Sequence, residues 1–326
     1  MKEFFTYEQQ VGKLKDNGLI INDEKKAICF LKLEGYYNII NGYSSEFKSQ
    51  KGNFNKGTTF EDICNLYAFD KDIRNIIYKY TSSVETHIKA LIAHEFSRAH
   101  GVDESLYLQP SCFSSNQTSR QKVQELINTC NETINEALNS KSNKYRKYIE
   151  HNKTKHGHVP MWVLIRALSF GTTSIFFKNM IEEEREKIAS NYALSSSQLA
   201  NVLEVVVSYR NIVAHGERTF CARLPKTRLS TNLGIVKKMQ IPKNAKGENK
   251  YGKSDFLSLL ICCKYLLPSE EMDSLIEELK KAIEWLSVRL SPSMMGKIKH
   301  LMGLWSNGWI NLSRLTIDPL NAVDIQ

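Results

Sequence analysis

A chain of 326 residues is long enough to bury one large core or two modest ones. With 42% hydrophobic and 24% charged residues it reads as a folded globular protein, and a disordered chain is excluded. The 44 Lys and Arg against 35 Asp and Glu leave a net charge of +9, which favours polyanions by attraction and counterion release, although charge alone fits a basic protein with no nucleic-acid partner equally well.

The chain begins MKEFFTYEQQ, where charge and Gln interrupt any signal-peptide core. No apolar run approaches the roughly 18 residues of a membrane span, so the expected location is the cytoplasm. Residues 23–34 carry Ala27, Ile28, Phe30, Leu31 and Leu33 after Asn22, a suitable cap, and Gly35 closes the segment before Tyr36-Tyr37-Asn38-Ile39-Ile40. Thr58 with Glu61 has the capping-box pattern. From there Ile63, Leu66, Ile73, Ile77, Val84, Ile88 and Ile92 recur at helical spacing up to Arg98, and Gly101 closes a single long helix or two in tandem.

Residues 102–118 read as loop, and 119–139 and 142–150 as helices with polar outer faces. Pro160 suits the first position of a helix carrying Trp162, Val163, Ile165 and Leu168; Gly171 breaks the pattern, and Ile175, Phe176, Phe177 and Met180 resume it. Ser195, Ser196 or Ser197 can cap the next helix, whose stripe is Leu199, Val202, Leu203, Val206, Tyr209 and Val213, with Gly216 as its stop. Residues 219–253 lose the helical period. Arg223, Lys226, Arg228, Lys237, Lys238, Lys243, Lys246, Lys250 and Lys253 face one acid there, Glu248, which suits short strands or a mobile loop. Helices resume at 254–267, 270–290 and near 293–304; the apolar run from Phe256 to Leu267 reads as a buried helix. The organisation is therefore an N-terminal helical segment (1–57), a helical core (58–218), a basic loop (219–253) and a C-terminal helical segment (254–326).

The seven cysteines are Cys29, Cys64, Cys112, Cys130, Cys221, Cys262 and Cys263. An odd count without a C-x-x-C pair speaks against a disulfide framework and a zinc ribbon, and most of them read as buried thiols.

Chemistry concentrates at the end of the helix stopped by Gly216. Asn211 and His215 are four residues apart and share a face, while Arg210 lies further round and Tyr209 and Val213 hold the buried side. RNA can be cleaved by its own 2′-OH. That reaction needs a proton carrier near neutral pH, which histidine supplies, and a cation on the crowded phosphate, which arginine supplies in fork geometry. No metal or cofactor is required. The spacing Arg-x4-His is weak by itself: Arg146 and His151 repeat it without the Asn and among Lys144, Lys147 and Lys153. Arg74-Asn75 begins like the motif but has Lys79 where histidine belongs. The bland alternative is a capped helix end whose polar groups merely bind carbonyls.

Two basic regions could bind RNA. Lys144, Arg146 and Lys147 stand beside Tyr145 and Tyr148, a mixture that suits phosphates and stacked bases, although a solvated helix face explains it as well. Arg218, Arg223, Lys226, Arg228, Lys237 and Lys238 follow the motif directly and could guide RNA into it. His151, His156 and His158 lack the neighbouring acids and cysteines expected of a metal site, and His87 and His94 read as a partly buried polar pair. No Gly-rich phosphate loop is present.

Several blocks in order resemble one family: Gly18-Leu19-Ile20-Ile21 leading to Phe30-Leu31 and Gly35-Tyr36-Tyr37; Phe60 to Arg74 (FEDICNLYAFDKDIR); Val84-Glu85; Val159-Pro160-Met161-Trp162 with Leu168 to Thr172; and Tyr209-Arg210-Asn211 with Ala214-His215 and Arg218. The sequence resembles the Abi-like (AbiD/AbiF) abortive-infection proteins of the wider HEPN superfamily over most of residues 6–267. The resemblance implies an all-α fold, a HEPN-type helical bundle with additional N- and C-terminal helices and a basic irregular insertion. It also implies an anti-phage toxin with a metal-independent endoribonuclease site at Arg210, Asn211 and His215, leaving a 2′,3′-cyclic phosphate. HEPN sites usually pair two motifs, so a homodimer is implied, and relatives are associated with structured non-coding RNA that restrains the toxin. A non-catalytic RNA-binding defence protein and a helical module sensing phage components are the alternatives.

Overall fold

The computed structural model describes residues 3–114, 120–139, 146–305 and 307–317. The fold is all-α: the described residues form helices joined by turns, and extended pairing among them is confined to isolated bridges such as Ile20–Thr59.

Its axis is α3 (Phe60–His100), one helix of 41 residues and about 60 Å long. The capping box that starts it is Thr59 with Asp62, one residue later than the Thr58–Glu61 pair that the sequence also offers. Tertiary pairing selects the register: the Ile20 amide binds the Thr58 carbonyl and the Phe60 amide binds the Ile20 carbonyl, which holds Thr59 extended. Gly101, at φ +79°, ends the helix. Ile63, Phe69, Ile77, Val84, Ile88 and Phe96 of α3 are fully buried.

Before α3 stand α1 (Tyr7–Asp16), α2 (Glu24–Glu34) and a π-helical turn at Tyr37–Asn41. The cap of α2 is Asp23 rather than Asn22, because the Asp23 carboxylate takes the Lys26 amide. After α3 come the short α4 (Glu104–Tyr107), then α5 (Arg120–Asn139) and α6 (Lys147–His156). Of the helix expected at 142–150, residues 142–145 lie outside the described ones, and α6 covers the rest from Lys147 and runs on to His156. Pro160 caps a single turn, α7 (Met161–Leu164). Gly171 does not break the pattern; it lies inside α8 (Phe170–Asn179), and the break falls at Ser169, whose hydroxyl accepts the Thr172 amide.

The site helix α10 (Ser196–Ala214) follows α9 (Glu182–Ser190) and starts at a capping box of Ser195 and Gln198. It packs on α3, α8, α9 and α12 (Phe256–Leu266), a helix buried on every side. Val202, Leu203, Val206 and Tyr209 are wholly buried, and truncating one such aliphatic side chain to alanine costs about 2–5 kcal/mol. The amphipathic α13 (Ser269–Ser287) lays Leu275, Leu279, Ile283 and Leu286 inward and packs on α3, where Lys79 and Tyr80 both donate to Glu278 (2.7 and 2.9 Å). The chain continues into α14 (Pro292–Met302) and a 3-10 helix at Asn307–Arg314.

Residues 219–253 are neither strands nor a free loop. Leu224, Leu229, Leu233, Ile235, Ile241 and Tyr251 are buried, and α11 (Gly234–Lys238) forms within the segment. The Leu224 and Leu229 amides bind the Ser254 and Lys253 carbonyls, and the Asn201 side chain grips Arg228 and Ser230. The segment is an irregular lobe with a basic exterior and an apolar lining.

None of the cysteines is paired. Cys130, Cys262 and Cys263 are buried, Cys64, Cys112 and Cys221 are half-buried, and Cys29 is exposed, so fewer thiols are fully buried than the sequence suggested. Burial pushes the Cys130 and Cys263 thiols up to about 12, which makes them poor nucleophiles.

Candidate active site

The C-terminus of α10 is built to stop sharply. His215 is the cap residue, Gly216 follows at φ +71°, the Gly216 amide binds the Val213 carbonyl and the Glu217 amide binds the Ile212 carbonyl. This is a Schellman closure, and its left-handed position favours glycine. The arrangement leaves the Asn211 and His215 side chains exposed at the helix end while Val213 stays buried.

Arg210 points elsewhere. At 3.6 residues per turn it lies about 140° round the helix from His215, whereas Asn211 and His215 are about 40° apart. Its guanidinium Nη2 lies 3.4 Å from Glu85 Oε2 on α3. Glu85 is also bound by Lys89 Nζ at 2.6 Å, and Lys89 in turn donates to the Leu168 carbonyl. A chain of charges from α10 through α3 to the turn before α8 thus fixes Arg210. One chain therefore presents the arginine and the histidine on different sides of one helix end.

Just beyond the motif the backbone is held by a buried hub. The Asp70 carboxylate, with no exposed surface, accepts the Thr219 and Phe220 amides, the Tyr43 hydroxyl at 2.7 Å and Arg74 Nη1 at 2.5 Å. Burial pushes the Asp70 carboxyl above its ordinary value, and Arg74, Tyr43 and the two amides oppose that push. Phe220 stacks on Tyr43. The hub pins the exit from α10 to the first third of α3.

The helix does not continue to Arg218. That residue lies past the Schellman turn, exposed, and donates to the Gly42 carbonyl at 2.7 Å. Arg223 is exposed and reaches the Leu301 carbonyl, and Lys238 reaches Thr316. Lys226, Arg228 and Lys237 are exposed. Arg228 is anchored through Asn201, about 20 Å along α10 from His215. The basic lobe therefore starts at the motif and runs away from it. On α6, Lys147 is exposed and Arg146 pairs with Glu136 at 3.1 Å; Lys144 lies outside the described residues. His151 and His158 flank His156 with ring separations of 6.3 and 6.5 Å. Among the described residues no group of three or more His, Cys, Asp or Glu side chains is placed to hold a metal, and no helix is long and apolar enough to cross a membrane.

A family model described as "Abi-like protein" matches residues 29–221. The chain belongs to the Abi-like family. The matched region runs from α2 to just past the Schellman turn, so the family segment holds α3, the whole of α10 and the Asp70 hub. No curated protein and no solved structure matches the chain.

Sequence reasoning assigned no role to Glu85, Lys89, Asp70 or Arg74. The signal that could have found the hub was present: Asp70 and Arg74 are four apart, ion-pair spacing on a helix, yet they fall among Phe69, Ile73 and Ile77 on the apolar face. A charge pair at core positions implies a buried partner.

Proposed function

We propose that this Abi-like protein is an abortive-infection effector that cleaves RNA without a metal ion, through Arg210, Asn211 and His215. The observation that carries the reading is the rigid, solvent-facing helix end: Asn211 and His215 share an exposed face fixed by the Gly216 turn, and Glu85 fixes Arg210 on another side of the same helix end. His215 takes the proton of a ribose 2′-OH as that oxygen bonds to phosphorus. The P–O5′ bond then breaks, and the imidazolium returns the proton to the leaving O5′, giving a 2′,3′-cyclic phosphate and a 5′-OH. Arg210 stabilises the charge that builds on the phosphoryl oxygens, and Asn211 orients the imidazole or a phosphate oxygen.

Because Arg210 and His215 diverge within one chain, the reaction calls for a second copy whose helix end completes the site, and a homodimer is part of this reading. A structured non-coding RNA that keeps the copies apart would silence it. Purified protein with EDTA is expected to cleave single-stranded RNA to cyclic-phosphate ends, and Arg210→Ala and His215→Ala to lose at least 100-fold in rate. Cleavage only after a divalent metal is added would refute the mechanism.

The same divergence favours a second reading, a non-catalytic RNA-binding defence protein. It predicts salt-sensitive binding with RNA intact after long incubation.

A further inference from the structure

Along α3, Ser82, Thr86, Ala90 and Ala93 recur at three- and four-residue spacing and present little bulk on the face towards Arg210. Trp162 and Arg166 of the α7 turn also line this face, and together they enclose a cleft of about 720 Å³, within the range that holds a small ligand or a nucleotide. Apart from Arg210 and Glu85, its lining has no part in the catalytic reading.

The lining has a specific chemistry. The Trp162 side chain is 50% exposed and Tyr78, further along α3, is 47% exposed. Two large rings left half in water at one cleft are platforms for another flat group. Arg210, Arg166 and Lys89 face one carboxylate, Glu85, so the cleft is cationic. Arg210 Nε is buried without a hydrogen-bond partner, so this guanidinium is held at the cleft with one donor unsatisfied. Arg166 lies over the Tyr148 ring at 5.2 Å, which carries the positive surface on towards α6 and Lys147. Rings beside cations are the combination that grips single-stranded nucleic acid, with bases on the rings and phosphates on the cations.

We propose that the cleft between α3 and the α7 turn is a nucleobase subsite for single-stranded RNA, in which an unpaired base stacks on Trp162 while its phosphate meets Arg210. The inference rests on the ribonuclease reading for the choice of RNA as the polymer. The small side chains of α3 leave room for the base, and Arg166 leads the strand towards α6.

The test compares full-length wild type, Trp162→Ala and Trp162→Phe. The ligands are a ten-residue 2′-O-methyl oligonucleotide, which lacks the nucleophilic hydroxyl and stays intact, and an abasic strand of equal length and charge. Wild type is expected to bind the base-bearing strand roughly 10-fold or more tightly than the abasic one. Trp162→Ala should lose that preference and leave abasic binding unchanged, and Trp162→Phe should keep most of it. The proposal is overturned if Trp162→Ala keeps the wild-type preference. It is overturned equally if that variant sediments as a monomer where wild type is a dimer while the preference survives, since the cleft is then an interface between copies. If wild type binds no strand but still cleaves RNA through Arg210 and His215, the subsite falls and the ribonuclease stands. If wild type neither binds nor cleaves RNA, both fall.

Discussion

The Glu85 carboxylate of α3 lies 3.4 Å from the Arg210 guanidinium of α10, so the arginine of the candidate site is engaged by a neighbouring helix in the isolated chain. Lys89 shares the same carboxylate, and both members of the Glu85–Lys89 pair are largely buried. Under the ribonuclease proposal Glu85 is a positioning residue for Arg210. Glu85→Gln is expected to lower single-turnover RNA cleavage about 10-fold, through loss of guanidinium alignment. RNA affinity should hold or tighten slightly, because a negative charge leaves a cationic cleft. A drop in binding equal to the drop in cleavage would show that Glu85 contributes to affinity alone.

Asp70 is the anchor for the chain that leaves α10. Asp70→Ala strands the Arg74 guanidinium and two amides in the core. Breaking a buried pair from one side costs about 3–5 kcal/mol. Denaturant unfolding should show that loss, and the double variant Asp70→Leu, Arg74→Met should recover part of it. If Asp70→Ala unfolds at the wild-type midpoint, the hub holds nothing together.

Gly216 occupies the left-handed turn after His215, and a Cβ there meets open space. The cost of Gly216→Val is then purely conformational, about 1–2 kcal/mol. Stability should fall by that small amount while cleavage falls further, since His215 is the residue the turn orients. Wild-type cleavage by Gly216→Val would separate the turn from the chemistry.

His100 of α3 and Glu184 of α9 meet at 2.7 Å in a nearly closed site. Burial pushes the Glu184 carboxyl up to about 7, and burial pushes the His100 imidazole down. Glu184 has a raised value in the folded state, so its contribution is fully present below about 4.5, its unfolded value, and is lost as pH rises through about 7. His100 acts the other way: its contribution is present above its ordinary value and is lost as pH falls through the lowered one. Above about pH 6.5 only the Glu184 slope remains, and it levels off beyond about 7. Glu184→Gln should melt a few degrees above wild type at pH 8 and show little advantage at pH 5, by calorimetry across that range. An advantage independent of pH would mean that the gain does not come from titration.

Much of the candidate site was legible because its parts are local. The stripe from Leu199 to Val213 and Gly216 specify a helix with a known buried face and stop, and a start within the three residues Ser195, Ser196 and Ser197, and the motif falls on its last turn by counting. The start of α3 was less certain for a physical reason: Thr58–Glu61 and Thr59–Asp62 both satisfy the capping-box pattern, and a backbone pairing with Ile20 chooses between them. The basic lobe misled the reading because its nine cations drew attention from Leu224, Leu229 and Ile241, which are spaced irregularly and carry no period to detect.

What the sequence determined by itself is therefore the all-α fold, the helical course of residues 60–98, the buried α12 and the grouping of Asn211 with His215 on one helix face, since each follows from caps and periodicity within a single segment; that 60–100 is one helix and not two in tandem was left to the tertiary structure. Tertiary structure alone decided that Arg210 turns away from His215 towards Glu85, that Asp70 holds the chain beyond the motif, and that Trp162 stands beside the cleft of α3. These relationships join residues 68 to 150 positions apart, and side-chain direction across packed helices is set by how the helices pack.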